Sequence, residues 1–538
     1  MTVSLRTAFT AFVRSVTMRL TSKFVLPLAA LGLLIPTTVF AGGLEVPDVG
    51  TKALGRGSAF TARADNLSAF KYNAAGLSKL KGVNVLLVGG AINMNVEFDR
   101  GGSGEFACPE GFSADSCDPS AQFSNRHFDP QFDPNTGDPY ETARNVGRIG
   151  PAPMLVAQWG GVGGVEGLAI ALGFQTPSGF GSATYSDTGS QRYALRGASS
   201  LSGQAGLGVA YRVNRYFSIG ATFLAGFTKA DFHRAARGLI NSEDMANENP
   251  EGDTDFRLTV VDPFSPAGSI GILSNPVDWL EIGANVLTPI TVEADGSLEM
   301  ISSEETEGMT ELLGNGVTYR TKTPWVLRTG IRYIHERFDI EVDYVWEGWK
   351  NTGTCSFGSE EHVNVDPESD RNECGSGFEV DFDEDTAVSL NGQPIPILDF
   401  MVPKNYRNVH QVRVGTDVEV IPKVLAVRTG GWFQTSAFPK NYETFSVDFP
   451  IAQQFALSGG LTWKAATRKN PNPKKEDNWL DVNVGYSHVF QPTVVVTEGL
   501  LTQRGITTPG TPLVGNVVNN GTYNVSYNLF GVSFEGHF

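Results

Sequence analysis

The chain has 538 residues, a formal net charge of −17, 41% hydrophobic residues, 10% aromatics and 61 glycines. The acidic balance excludes a nucleic-acid-binding face, which needs clustered Lys and Arg. After Phe40 no apolar run reaches the ~18–20 residues of a membrane helix, so any membrane crossing must be made by strands.

At the N-terminus, Arg14, Arg19 and Lys23 precede an apolar run from Phe24 to Phe40, and Val39-Phe40-Ala41 ends it with small residues. That layout predicts a secretory signal over 1–41, with Met18 an alternative start, and an exported protein. Residues 42–82 are rich in Gly and Ala, show no alternation and are too polar to cross a membrane as a helix. They read as a tail or a plug tethered to the rest of the chain.

From residue 83 onward, apolar residues recur at every second position between turn signals, the spacing of strands with two unlike faces. The expected strands are 83–98, 147–159, 166–174, 198–212, 217–233, 264–275, 279–302, 316–334, 338–347, 407–420, 425–432, 453–463, 479–490 and 522–538. Short connections alternate with long ones at 99–146, 175–197, 234–263, 348–406, 433–452 and 491–521, as in an outer-membrane barrel with short inner turns and long outer loops. Two connections fit less well, the modest loop 303–315 and the basic turn ATRKNPNPKKED. The expected fold is therefore all-β, a 14-stranded antiparallel transmembrane β-barrel over 83–538.

RFDIEVDYVWEGW shows the two faces clearly: Phe338, Ile340, Val342, Tyr344 and Trp346 alternate with Asp339, Glu341 and Asp343. Lipid outside and a wet lumen inside account for this pattern. In the preceding strand Arg328 and Arg332 share a face, and the tightest hairpin register sets Arg332 across from Glu341, an expected ion pair. At the C-terminus, apolar positions are odd at Tyr523, Val525 and Tyr527 but even from Phe530 to Phe538, which suggests a bulge near Asn528. The terminal Phe538 is the ending that outer-membrane insertion machinery recognises, so barrel assembly machinery is an expected partner.

Cys108 with Cys117, and Cys355 with Cys374, fall in pairs within single loops, and an oxidising compartment predicts two local disulfides. No CxxC spacing or His cluster supports a zinc site. The acidic loop Ser242–Asp255 lacks EF-hand spacing; it offers at most a bridge through divalent ions to lipopolysaccharide and outer-membrane lipid. There is no G-x-S-x-G elbow, no Ser–His arrangement and no phosphate-binding loop, so neither an enzyme nor a cofactor is expected.

KALGRGSAFTARADNLSAFKYNAAGL, within 42–82, resembles the N-terminal hatch of the FadL family of outer-membrane transporters for long-chain fatty acids and other hydrophobic compounds. The resemblance continues through PSGFGSATYSDTGSQRYAL, PWVLRTGIRYIHERFDIEVDYVWEGW, HQVRVGTDVEV and VRTGGWFQTSAFPKNYETFSVDFP. It implies a hatch over 42–82 built around Gly55, Arg56, Gly57, Asn73, Ala74, Ala75 and Gly76, with Ala74 standing where the family usually has Pro. It also implies passive uptake by a monomer: capture at the outer loops, hatch rearrangement and sideways release at a kink in the third strand, here near Pro177 and Gly179. Arg234, Arg407 and Ser178 take the positions of the family's carboxylate-binding residues. The cargo is expected to be a long-chain fatty acid, with an alkane or aromatic hydrocarbon as the alternative. A water-filled porin would lack the plug, while an adhesin using the long loops would have no need of one.

Overall fold

Every strand of the barrel hydrogen-bonds antiparallel to its sequence neighbour, and the last returns to the first. The computed structural model describes residues 50–101, 141–145, 149–177, 183–237, 250–303, 307–352, 377–390, 392–397, 400–469, 476–501 and 517–538. The expected signal sequence, the four cysteines, Ser178, Gly179 and most of the acidic loop lie outside them.

The first seven strands are β1 (Gly82–Arg100), β2 (Ile149–Pro151 continued by Met154–Gly160), β3 (Leu168–Gln175), β4 (Gly197–Asn214), β5 (Phe217–Arg237), β6 (Asp253–Val277) and β7 (Leu280–Leu287 continued by Thr291–Ile301). The second seven are β8 (Gly316–Lys322 continued by Val326–Ile334), β9 (Phe338–Glu347), β10 (Val409–Ile421), β11 (Leu425–Gln434), β12 (Gln454–Lys469), β13 (Glu476–Phe490) and β14 (Gly521–His537). Pairing of β14 with β1, from Asn84 opposite His537 to Arg100 opposite Gly521, closes the fourteen-stranded ring. Closure removes every edge, and a spanning sheet in lipid requires this.

The two faces sort as the alternation predicts. On β9, Asp339, Glu341 and Asp343 are buried, while Ile340, Val342 and Tyr344 are exposed on the outer wall. On β5, Ser218, Thr222 and Thr228 are buried and Ile219, Phe223 and Phe227 are exposed.

Four expectations need correction. The stretches 147–159, 279–302 and 316–334 are not unbroken strands; each is interrupted at a proline, Pro153, Pro289 or Pro324, which has no N–H to give to the ladder. Strand β6 begins at Asp253 rather than 264, because β5 and β6 continue past the apolar band as a long ribbon, with Arg237 opposite Asp253. No bulge occurs at Asn528: β14 keeps one register against β1 from Gly521 to His537 and against β13 from Ser526 to Gly536. What changes there is the surroundings. Tyr523, Val525 and Tyr527 point inward to a buried aromatic cluster in the outer half, and Phe530, Val532 and Phe534 point outward in the inner half. Finally, Arg332 is opposite Glu341 in register as expected, but its guanidinium pairs with Glu281 at 2.7 Å and Asp339 at 2.9 Å instead.

Candidate functional site

Residues 50–81 fill the lumen. Thr51, Ala53, Arg56, Ser58, Ala59, Phe60, Thr61 and Ala62 are all at most 1% exposed although they form only short turns of helix and loop. A loop buried this deeply carries backbone donors that need partners, and the inward face of β9 supplies them. The Asp343 carboxylate accepts from the amides of Phe60 and Thr61, both at 2.9 Å. Glu341 accepts from the amides of Ala62 at 2.7 Å and Arg63 at 3.2 Å. The carboxylate stripe on β9 thus serves as the anchor of the plug.

Charge completes the latch. The Arg56 guanidinium, wholly buried, reaches Asp417 of β10 and Asp339 of β9 at 2.8 Å each, and Glu341 at 3.2 Å. Arg63 pairs with Asp339 at 2.7 Å, Asp417 at 3.0 Å and Asp65 at 2.8 Å. Burial works against the charged form of Asp65, but Arg63 and Lys52 overcome it and hold this carboxyl well below the usual range. Lys79 meets Glu281 at 2.9 Å, yet burial keeps its ammonium below the ordinary lysine value. Asn73 ties the plug to itself and to β6, donating to the carbonyls of Thr61 at 2.8 Å and Ile272 at 3.0 Å.

Glycines on the wall make room for this segment. On Gly173 (β3), Gly220 (β5), Gly283 (β7), Gly415 (β10), Gly430 (β11) and Gly485 (β13), an added Cβ would fall within 3.0 Å of plug atoms. In the plug, Gly57 has φ +63° and a Cβ there would collide with Gly431, while Gly76 packs as tightly against Ala64. Gly283→Val is therefore expected to destabilise the folded state by about 1–3 kcal/mol through overpacking and to expose the plug to protease. Gly89→Val, on the open outer face, should do neither. Urea unfolding in detergent and limited proteolysis measure the difference.

Beside the plug lies a cavity of about 50 Å³ lined by Phe70 and Lys71 of the plug and by Pro177, Gln204, Thr222, Leu287, Ile290 and Arg328 of the wall, among others. It lies next to Gln175 and Gln204, the last described pair of the β3–β4 ladder before residue 178. A plugged barrel with an internal, partly apolar cavity against its wall is suited to passing single small molecules rather than water.

Comparison with known proteins agrees. Residues 32–538 match the family described as outer membrane protein transport protein (OMPP1/FadL/TodX). The chain belongs to that family. Among solved structures it is similar to a Pseudomonas aeruginosa FadL homologue (15% identity, TM-score 0.65, covering 93% of this chain and 100% of that one). It is also similar to the Pseudomonas putida toluene transporter TodX (13% identity, TM-score 0.57, 93% and 100%). A third is the Ralstonia pickettii toluene transporter TbuX (12% identity, TM-score 0.54, 92% and 99%). No curated protein matches. The protein is an outer-membrane β-barrel of a family of hydrophobic-compound transport channels.

As a member of the FadL/TodX family, it places its expected head-group residues unevenly. Arg234 lies half-buried on β5, in phase with the inward Thr222 and Thr228. Arg407 is exposed and does not continue the buried Gln411–Arg413 set, because the chain changes phase just before β10. The buried cation of this segment is Lys404, which strand parity does not single out. Its Nζ is 2.9 Å from Asp448 and lies over the Phe449 ring, 4.8 Å from the centroid. The family's Pro position, Ala74, opens a 3-10 turn that Asn73 caps by accepting from the Ala75 amide; proline is suited to this first position, but the turn forms without it.

Proposed function

We propose that the protein carries long-chain fatty acids inward across the outer membrane without an energy source. Capture takes place among the outer loops, the chain passes to the cavity beside Phe70, and release follows rearrangement of the plug and parting of the wall at the end of β3. The observation that supports a fatty acid is Lys404, a fully buried ammonium over the ring of Phe449, which belongs to the same buried cluster as Tyr406 and Phe445. Such a site offers a cation to a carboxylate head and aromatic surface to its alkyl chain. Binding would exchange one carboxylate, Asp448, for another. That Asp448 already neutralises Lys404 favours the second reading, a hydrocarbon cargo with no head group.

Affinities of a long-chain fatty acid and an alkane of equal length separate the two. Lys404→Met is expected to weaken the fatty acid by roughly 1.5–3 kcal/mol, the worth of a charged hydrogen bond, and to leave the alkane unchanged. Arg234→Ala/Arg407→Ala measures any share of the two arginines in the same way. Burial pushes the Lys404 ammonium below its ordinary value against the pull of Asp448. As pH rises, fatty-acid affinity should therefore fall at a pH below that at which a free lysine deprotonates. Equal losses for both ligands, or none, would make a hydrocarbon the cargo.

A further inference from the structure

We propose a second lateral passage through the barrel wall, between β6 and β7, by which hydrophobic cargo moves between the internal cavity and the outer part of the membrane. It rests on the reading of the protein as a channel for such cargo. The β6–β7 ladder runs from Val277–Leu280 to Ser269–Leu287 and resumes only at Val261–Asp295. Between these rows, 262–268 and 288–294 face each other without ladder pairing. One backbone bond remains, from the Thr288 amide to the Gly268 carbonyl at 2.9 Å.

Unpaired backbone in a spanning wall is costly, since lipid offers no replacement partner. The sequence here lowers that cost in two ways. Pro263, Pro266 and Pro289 fall inside the gap and have no N–H to satisfy. Side chains cap the amides that remain: Asp262 accepts from Phe264 at 2.8 Å and Glu293 at 3.3 Å, and Thr288 Oγ1 accepts from Gly268 at 2.9 Å. On the β8 side, Thr323 Oγ1 accepts from Ile290 at 2.8 Å. Register is the same above and below the gap, because β6 and β7 both change phase inside it. Buried positions pass from Ser265 to Asp262 on one strand and from Asn285 to Ile290 on the other. The gap is thus a built interruption along which the strands can part without breaking a ladder.

Its surroundings are those of a passage for apolar molecules. Leu287, Ile290 and Ser269 at its edge line the internal cavity, which also touches Pro177 at the end of β3. On the outer wall Phe264 is 57% exposed, below it Ile270 and Ile272 continue an apolar face, and exposed Trp325 stands at the break in the adjoining β8. From the far end of the gap onward the outward positions of β7 become Glu293 and Asp295, both exposed, which sets the gap at the outer limit of the apolar band.

The test closes the gap. Ala267→Cys/Pro289→Cys, oxidised in the purified barrel, joins the strands within it; Ile272→Cys/Ala284→Cys joins them within the paired ladder. A second variant, Pro266→Val/Pro289→Val, restores donors without a cross-link. Each barrel in lipid vesicles is given a dansyl-labelled long-chain fatty acid and, separately, pyrene as a head-group-free probe, and binding and transfer to the bilayer are followed. The expected result is binding as in wild type, with transfer of at least one probe slowed about fivefold or more by closing the gap and unchanged by the ladder cross-link. Transfer unchanged in both gap-closing variants overturns the passage. Failure of wild type to bind either probe overturns the channel reading itself, and the passage with it.

Discussion

Deletion of residues 42–82 is expected to leave a folded barrel and raise its single-channel conductance by about tenfold or more, because a ring of this strand number encloses a lumen wide enough for water once unfilled. The barrel ladders do not pass through the plug, and ring closure by β14 and β1 is independent of it. The plug occupies the space that the wall glycines leave open, from Gly173 on β3 round to Gly485 on β13. Glu341 and Asp343 would lose their plug amides, and Asp339 and Asp417 their plug arginines while keeping Arg332 and Arg428 of the wall; an open lumen would hydrate them, so the deletion need not unfold the wall. Cation selectivity should follow, since these carboxylates would line the pore. Planar-bilayer recordings of wild type and deletion variant decide it; equal conductance would mean that the segment does not obstruct the lumen.

The strands were legible because lipid and lumen impose opposite demands on alternate positions, and β9 carries that signal along its ten residues with Val345 the single apolar side chain on the inward face. Its boundaries, Phe338–Glu347, coincide with those expected from alternation alone. Where both faces pack against protein, the signal loses its meaning. Tyr523 to Tyr527 look like an outward apolar stripe in the wrong phase, but they are the floor of an outer aromatic cluster with Phe98 and Phe445. Prolines 289 and 324 were visible as possible breaks, but alternation on each side of them suggested continuity, and the change of phase at each break was the overlooked clue.

Ion partners were less legible than faces. Register could place Arg332 opposite Glu341, since parity is local, but it could not reveal that Glu341 belongs to the amides of Ala62 and Arg63, far away in sequence. A signal for the plug's seat did exist: inward-phase glycines recur on most strands at one level, where a lumen filled by side chains would have had larger residues. Lys404 is not legible from parity, because it lies before the phase change at which the chain enters the β10 ladder.

Arg56→Met is expected to release the latch. Removing one partner of a buried pair typically costs about 3–5 kcal/mol, since the charge left behind is neither hydrated nor matched. Here three carboxylates converge on a single guanidinium, with Arg63 sharing only Asp339 and Asp417. Glu341 would retain only its backbone donors. The plug should come away from β9 and β10 while the wall stays closed, seen as faster proteolysis within 50–81 and a raised conductance approaching that of the deletion. Arg56→Met/Asp417→Asn should recover part of the loss, because neutralising one of the stranded acids lessens the mismatch, and the non-additivity measures the coupling. Mild acid should leave the pairing of Asp65 with Arg63 in place. Asp65 has a folded-state value held well below that of the unfolded carboxyl, so its contribution is fully present above about pH 4 and is lost only as pH falls through the depressed value. A wild-type proteolysis pattern and conductance in Arg56→Met would show that the amide contacts to Glu341 and Asp343 suffice to hold the plug, and that the buried ion cluster serves another purpose.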